Sequence, residues 1–128
     1  MNKLSLYIDP IGKPRMTKSD RWKQRSCVQR YWRFKDKISG VAMRQGFTLT
    51  DALHYFFIIA MPKSWPKKKK EKMQGKPHKT KPDIDNILKS VFDSLLGDDS
   101  KISSIASAKK TWGVLGEIII WSENPAEG

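Results

Sequence analysis

Asp83 and Asp85 stand two positions apart, after a lysine-rich stretch and at the start of a run with helical spacing. Ile84, Ile87, Leu88, Val91, Phe92 and Leu95 recur at three and four residues, which marks one apolar stripe of an amphipathic helix. On that helix Asp85, Asn86, Lys89 and Asp93 fall on the opposite arc, so Ile84 turns inward while its two acidic neighbours face outward together. Asp98 and Asp99 follow the same element, just after Gly97, the residue expected to cap its C-terminus. Carboxylates brought together by a fold repel one another and raise one another's pKa, and a hard divalent cation relieves that. Mg2+ takes oxygen ligands and keeps several waters, so two or three carboxylates suffice, with Mn2+ a workable substitute. Such a centre suits phosphodiester hydrolysis, which needs a nucleophilic water, charge stabilisation on the phosphate and help for the leaving oxygen. Lys89, one turn after Asp85, would place positive charge where the transition state is most negative.

Each of these residues also has a plainer reading. Asp83 at an N-cap satisfies free backbone N–H groups, and Asp85 in a first turn favours the helix dipole. Lys89 is spaced to form an ordinary ion pair with Asp85 or Asp93. Against the plain reading, the chain has only 13 acidic residues, and the stretch from 63 to 82 just before Asp83 holds nine lysines.

That imbalance runs through the whole chain. Lys plus Arg is 25 against 13 acidic residues, a net charge of +12 in 128 residues. A compact domain with this surplus repels itself unless a polyanion faces it, and nucleic acid is the commonest such partner. The positive charge lies in two segments, from Lys13 to Arg44 and from Lys63 to Lys81. Lys13, Arg15, Lys67, Lys68, Lys69, Lys70, Lys76, Lys79 and Lys81 are the expected phosphate contacts; the alternative is a solvated lysine face. Trp22, Trp32 and Trp65 lie among these cations, with core packing expected for Trp32 and stacking on opened DNA conceivable for the others. His78 is expected to be a loop histidine without a role, with phosphate contact as its alternative, and His54 a packed or edge histidine.

No apolar run is long enough to span a bilayer, and the first nine residues are too short an apolar stretch for a signal peptide, so no membrane association is expected. A single cysteine, Cys27, suits a reducing, cytoplasmic compartment. It is expected to be structural or incidental rather than a nucleophile, because neither histidine has a recognisable partner motif.

The elements that must position the acidic group are legible in outline. Residues 3 to 9 alternate as a first strand, and a helical pattern runs from about Cys27 to Gln45 with Gly46 as its cap. Residues 53 to 61 are nearly all apolar and predict a central strand covered on both faces, ended by Pro62. Ser64-Trp65-Pro66 can start a short helix through Met73. After the acidic helix, residues 102 to 112 and 115 to 121 are strand-like, joined by a turn over Gly113–Gly116, and the tail from Glu123 is polar. The expected fold is a single small α+β domain over residues 1–128, in the order β-α-β-α-β-β, with one mixed sheet and two main helices.

Lys81-Pro82-Asp83-Ile84-Asp85-Asn86-Ile87-Leu88-Lys89, then Val91-Phe92-Asp93-Ser94-Leu95, then Asp98-Asp99-Ser100-Lys101-Ile102, resembles the RusA family of Holliday junction resolvases. Weaker echoes are Gly12-Lys13-Pro14-Arg15, Pro62-Lys63-Ser64-Trp65 and Lys109-Lys110, so the resemblance spans most of the chain and adds Lys109 and Lys110 to the expected DNA contacts. It implies a crossover junction endodeoxyribonuclease: a homodimer with two active sites, each nicking one strand of a four-way DNA junction in recombination, repair or phage DNA processing. By position it implies that Asp83, Asp85 and Asp99 bind Mg2+ and that Lys89 assists catalysis. The interval from Asp93 to Asp99 is short against the family's pattern, which leaves Asp98 as the alternative third ligand. Two other functions remain open on the sequence: a non-catalytic, structure-selective DNA-binding protein, and a nuclease acting on other branched DNA.

Overall fold

The computed structural model describes residues 2–14, 26–96 and 102–122. Alternation and helical spacing place β1 at Lys3–Leu6, α1 at Ser26–Gln45, β2 at His54–Ala60, α2 at Lys67–Met73, α3 at Ile84–Leu95, β3 at Ser107–Gly113 and β4 at Glu117–Trp121. The fold is α+β, with three helices and one mixed four-stranded sheet in the order β1-β4-β2-β3.

The two long helices form where the apolar stripes predict them. α1 buries Val28, Tyr31, Phe34, Ile38, Val41 and Ala42, and α3 buries Ile87, Leu88, Ser90 and Val91. Gly46 ends α1 with φ of +65°, a left-handed conformation that glycine adopts without steric cost. The chain then folds back so that the Phe47 N–H donates to the Ala42 carbonyl at 2.9 Å and the Phe47 ring enters the core. The helices lie against one face of the sheet, where Leu4, Tyr55 and Ile120 align across the strands, as do Leu6, Phe57 and Ile118. Ile38, Ile87, Ile118 and Ile120 are fully buried there, each contributing roughly 1.5–3 kcal/mol of transfer free energy.

Four expectations need correction. β2 is central, between β4 and β3, but it is covered on one face only: Tyr55 and Phe57 are buried while His54, Phe56 and Ile58 are half-exposed. The apolar character of the run reflects neighbours on both sides within the sheet rather than a layer on both faces. The turn at residues 114–116 exists, yet it does not make a hairpin, because β3 and β4 lie on opposite sides of β2, parallel and antiparallel to it. The link crosses the end of β2, where the Met61 N–H donates to the Gly113 carbonyl at 3.0 Å and a Cβ on Gly113 would collide with Ile58. β3 starts at Ser107 rather than 102, since residues 103 and 104 are drawn aside by Asp51, whose Oδ1 accepts from both N–H groups at 2.6 and 3.2 Å. β1 stops at Leu6, opposite Ile118 near the start of β4; beyond it Asp9 packs on Gly116.

Both outer edges of the sheet are occupied. The Gln45 amide exchanges hydrogen bonds of 3.0 and 2.9 Å with the Ser5 backbone on β1. On β3, residues 75–78 run antiparallel: Gly75 N–H donates to Trp112, Trp112 to Lys76 and His78 to Lys110, at 2.9, 2.9 and 3.1 Å. Occupied edges oppose unwanted strand pairing, and here the covering segment leads directly into Asp83. The proposed tail, residues 123–128, and the Gly97 cap lie outside the described residues.

Candidate active site

α3 begins at Asp83, whose extended backbone (φ −69°, ψ 148°) and carbonyl, accepting from Ile87 N–H at 3.0 Å, make it the N-cap. Its carboxylate makes no capping hydrogen bond. This removes the usual structural reason for an aspartate at that position, since an N-cap side chain stabilises a helix by accepting from the free N–H groups of the first turn. Asp85, in the first turn, is exposed. Lys89 is exposed one turn on, and forms no ion pair with Asp85 or Asp93, the partners its spacing allowed.

The segment before Asp83 is held from β3. The Lys110 ammonium donates to the Thr80 carbonyl and to the Pro82 carbonyl, both at 2.7 Å. Burial lowers the Lys110 pKa, and the nearby charge of Asp83 opposes that shift. Lys110, expected as a DNA contact, therefore spends two of its three donors on the protein's own backbone. Lys109 beside it is exposed.

A second strip of chain packs along α3. Ser90 Oγ donates to the Ile11 carbonyl at 2.8 Å, and Asn86 Nδ2 donates to the Lys13 carbonyl at 3.4 Å. Gly12 sits against the Asn86 amide so closely that any Cβ would collide with it. Gly12-Lys13-Pro14 is thus part of the same site, which its place in the sequence, some seventy residues away, did not signal except through the resemblance. An open cavity of about 400 Å3 lies between this strip and Pro82, with Arg30 of α1 on its wall.

The third acid on α3 is different. Asp93 accepts from the Tyr31 hydroxyl, from Lys35 Nζ at 3.0 Å, and faces Lys13 Nζ at 3.7 Å. Burial works against its charged form, but the Tyr31 hydroxyl, then Lys35 and Lys13, outweigh it and hold its pKa below the usual carboxylate value. Tyr31 in turn is pushed far above its ordinary range by burial, the hydrogen bond to Asp93 and the Asp93 charge. Asp93 is a structural anchor between α1 and α3.

The lysine-rich segment forms a cationic arm beside the site. α2 buries none of its residues, and Lys67, Lys68, Lys69, Lys76, Lys79 and Lys81 are exposed, with Lys70 half-exposed. The arm is fixed by aromatic packing: Trp65 lies 4.8 Å from Trp112, with Lys69 Nζ 4.2 Å above the Trp65 ring. His78 is not a loop histidine without a role. It is 3% exposed, packs 4.4 Å from Trp112, and its Nε2 lies 3.3 Å from Thr80 Oγ1. Burial, then the Lys110 charge, lowers its pKa, so it packs as the neutral ring. Trp32 is also corrected: it is 45% exposed, with Lys35 Nζ 4.7 Å over its ring, because its place on α1 falls between the buried stripe and solvent. His54 packs on Trp121 at 5.2 Å with Nδ1 2.7 Å from Ser107 Oγ, and Cys27 is an exposed free thiol.

Asp98, Asp99, Arg15 and Trp22 lie outside the described residues. Among the described residues no group of three or more His, Cys, Asp or Glu side chains is assembled for a metal, and no helix is long and apolar enough to cross a membrane. Among the described residues Asp83 and Asp85 still supply two carboxylates free of capping bonds and ion pairs, the donor type a hard divalent cation requires.

A comparison with curated proteins found no match. The family described as endodeoxyribonuclease RusA matches residues 8–120, a span that takes in the Gly12 strip, the cationic arm, the α3 aspartates and Lys110. The chain belongs to the RusA endodeoxyribonuclease family.

Proposed function

We propose that this protein is a Mg2+-dependent endonuclease that resolves four-way DNA junctions by paired nicks, acting as a single-domain homodimer in the cytoplasm during recombination, repair or phage DNA processing. The observation that carries this reading is the pair Asp83 and Asp85: two carboxylates at the start of a helix, neither making a capping bond nor, among the described residues, a salt bridge, with an arm of exposed lysines leading into them. Asp83 and Asp85, with Asp99 or alternatively Asp98, would hold Mg2+ or Mn2+. The bound ion would supply Lewis acidity and an activated water.

The chain's own residues do the rest. Lys89, exposed and unpaired on the same face of α3, is available to the charge that builds on the phosphate. Lys13, Arg15, Lys67, Lys68, Lys69, Lys70, Lys76, Lys79, Lys81 and Lys109 would contact phosphates, giving affinity that falls with salt as counterions are released. The net charge of +12 supports a polyanionic partner of this kind. Paired incision needs two sites on one junction, which is why a homodimer is proposed.

The test is a cleavage panel of a mobile four-way junction, a flap and a linear duplex, with and without Mg2+. Symmetric nicks in the junction alone, only with metal, are expected. Preference for the flap would make the protein a nuclease for other branched DNA. Junction binding with no cleavage of anything would make it a structure-selective binder whose aspartates serve the helix. Sedimentation with and without the junction checks the dimer.

A further inference from the structure

We propose that Lys110 is a positioning residue of the active site rather than a contact to DNA: it sets where Asp83 stands by tying the segment ahead of α3 to β3. The inference rests on the reading of Asp83 as a metal ligand and adds to it the device that holds that ligand.

The geometry is a lacing of one edge. Between residues 75 and 82 the chain is fastened to β3 at alternate points. Gly75 and Lys76 bond to the Trp112 backbone, and His78 bonds to the Lys110 carbonyl. The backbone ladder ends at His78, as the chain leaves the sheet to start α3. Lys110 extends the lacing with its side chain, donating at 2.7 Å to the carbonyls of Thr80 and Pro82. The Pro82 carbonyl belongs to the peptide bond that carries the Asp83 nitrogen, so this bond fixes the plane from which Asp83 departs.

Three features separate this lysine from those of the arm. It is half-exposed, whereas Lys109 and every lysine of the arm but Lys70 are exposed. Its ammonium points at protein acceptors, and charge-assisted bonds of this length are the stronger kind. It comes from the central part of a strand, whose register against β2 is fixed residue by residue from His54–Ser107 to Ala60–Gly113. A rigid strand thereby dictates the place of a helix's first residue. Displacing a reacting group by about 1 Å can cost on the order of 100-fold in rate.

The test compares Lys110→Met, which keeps the length and loses the bonds, with Lys110→Arg, which keeps the charge on a planar fork. Three quantities are read: kcat and KM on a four-way junction, Mn2+ binding by electron paramagnetic resonance without DNA, and exchange of the hydrogen-bonded His78 and Ile87 amides, which bracket the segment. For Lys110→Met, kcat is expected to fall about 10- to 100-fold and Mn2+ affinity about tenfold, the cost of removing a group that orients a metal ligand. KM should stay within about threefold, and the His78 and Ile87 amides should exchange faster. Lys110→Arg should fall between wild type and Lys110→Met.

A raised KM and a shallower salt dependence, with kcat, Mn2+ affinity and amide exchange unchanged, would make Lys110 a phosphate contact and overturn the proposal. Should Lys110→Met be unfolded in a thermal melt, Lys110→Leu, which also lacks a donor, is measured instead, and wild-type kcat and Mn2+ affinity in it overturn the proposal equally. Failure of the wild type to bind Mn2+ would sink the nuclease reading, whereas normal Mn2+ binding in both wild type and Lys110→Met sinks only the role given to Lys110.

Discussion

The two ends of α3 carry aspartates of opposite character. At its C-terminal end Asp93 is enclosed: a tyrosine hydroxyl and a lysine ammonium bond to it, a second lysine faces it, and together they lock α1 to α3. At its N-terminal end Asp83 and Asp85 have neither a capping hydrogen bond nor a salt bridge among the described residues. One helix thus carries the same side chain enclosed at one end and open at the other. What differs is the company: an acid whose oxygens are already satisfied has nothing left for a ligand, and one left unsatisfied on a strongly cationic molecule is available to a metal.

That contrast can be broken by substitution. Asp85→Asn and Asp83→Asn should each reduce Mg2+-dependent nicking by on the order of 100-fold or more, while the melting temperature hardly moves, because neither carboxylate makes a capping bond or a salt bridge among the described residues. Persistent metal-dependent nicking in Asp85→Asn would erase the distinction. Asp93→Ala should do the reverse. Removing one member of a largely buried pair leaves Lys35 and the Tyr31 hydroxyl uncompensated and costs about 2–3 kcal/mol, less than a fully buried pair because Asp93 retains some contact with water. For a chain of this size that lowers the melting temperature by about 10 °C, and the protein that remains folded should still nick. A melt unchanged by Asp93→Ala would make the enclosed end as dispensable as the open one.

Acidity sharpens the contrast. The folded-state pKa of Asp93 is depressed, so its contribution to stability is present above the unfolded value of about 3.9 and is lost as the pH falls through the lower folded value. The stability gap between wild type and Asp93→Asn should therefore close on acidification below that range. His78 adds a separate dependence. Its pKa is also depressed, so its contribution is complete above about 6.5 and falls as the pH drops below it, loosening the arm before Asp93 is protonated. Thermal melts of wild type and His78→Gln between neutral and mildly acid pH should diverge at the neutral end and converge at the acid end. The smallest effects belong to the exposed lysines. Alanine at Lys67 or Lys68 should leave the melt within about 0.5 kcal/mol and reduce the slope of log affinity against log salt by about one each, measured by junction binding across a salt series.

Much of the fold was legible because its signals are local. α1 and α3 follow from apolar residues at three- and four-residue intervals, and β2 from a dense apolar run. The pairing of the last two strands was not legible: a short turn between strands is the usual mark of a hairpin, but β2 takes β3 on one side and β4 on the other. Trp32 and His78 were misjudged for one reason. Burial is set by what packs on a side chain: Trp32 stays exposed with the Lys35 ammonium over its ring, while His78 lies against Trp112 and is buried.

By itself the sequence determined the kinds and approximate limits of the elements, the cationic character of the molecule and the placing of Asp83 and Asp85 at a helix start, since periodicity, composition and capping act within a few residues. Only the tertiary structure decided that Asp93 is enclosed while Asp83 is not, that Gly12 lies against Asn86, and that Lys110 grips the backbone ahead of Asp83. Those facts depend on groups up to about eighty residues apart in the chain meeting at hydrogen-bond distance, and only the packing of helices on the sheet brings them there.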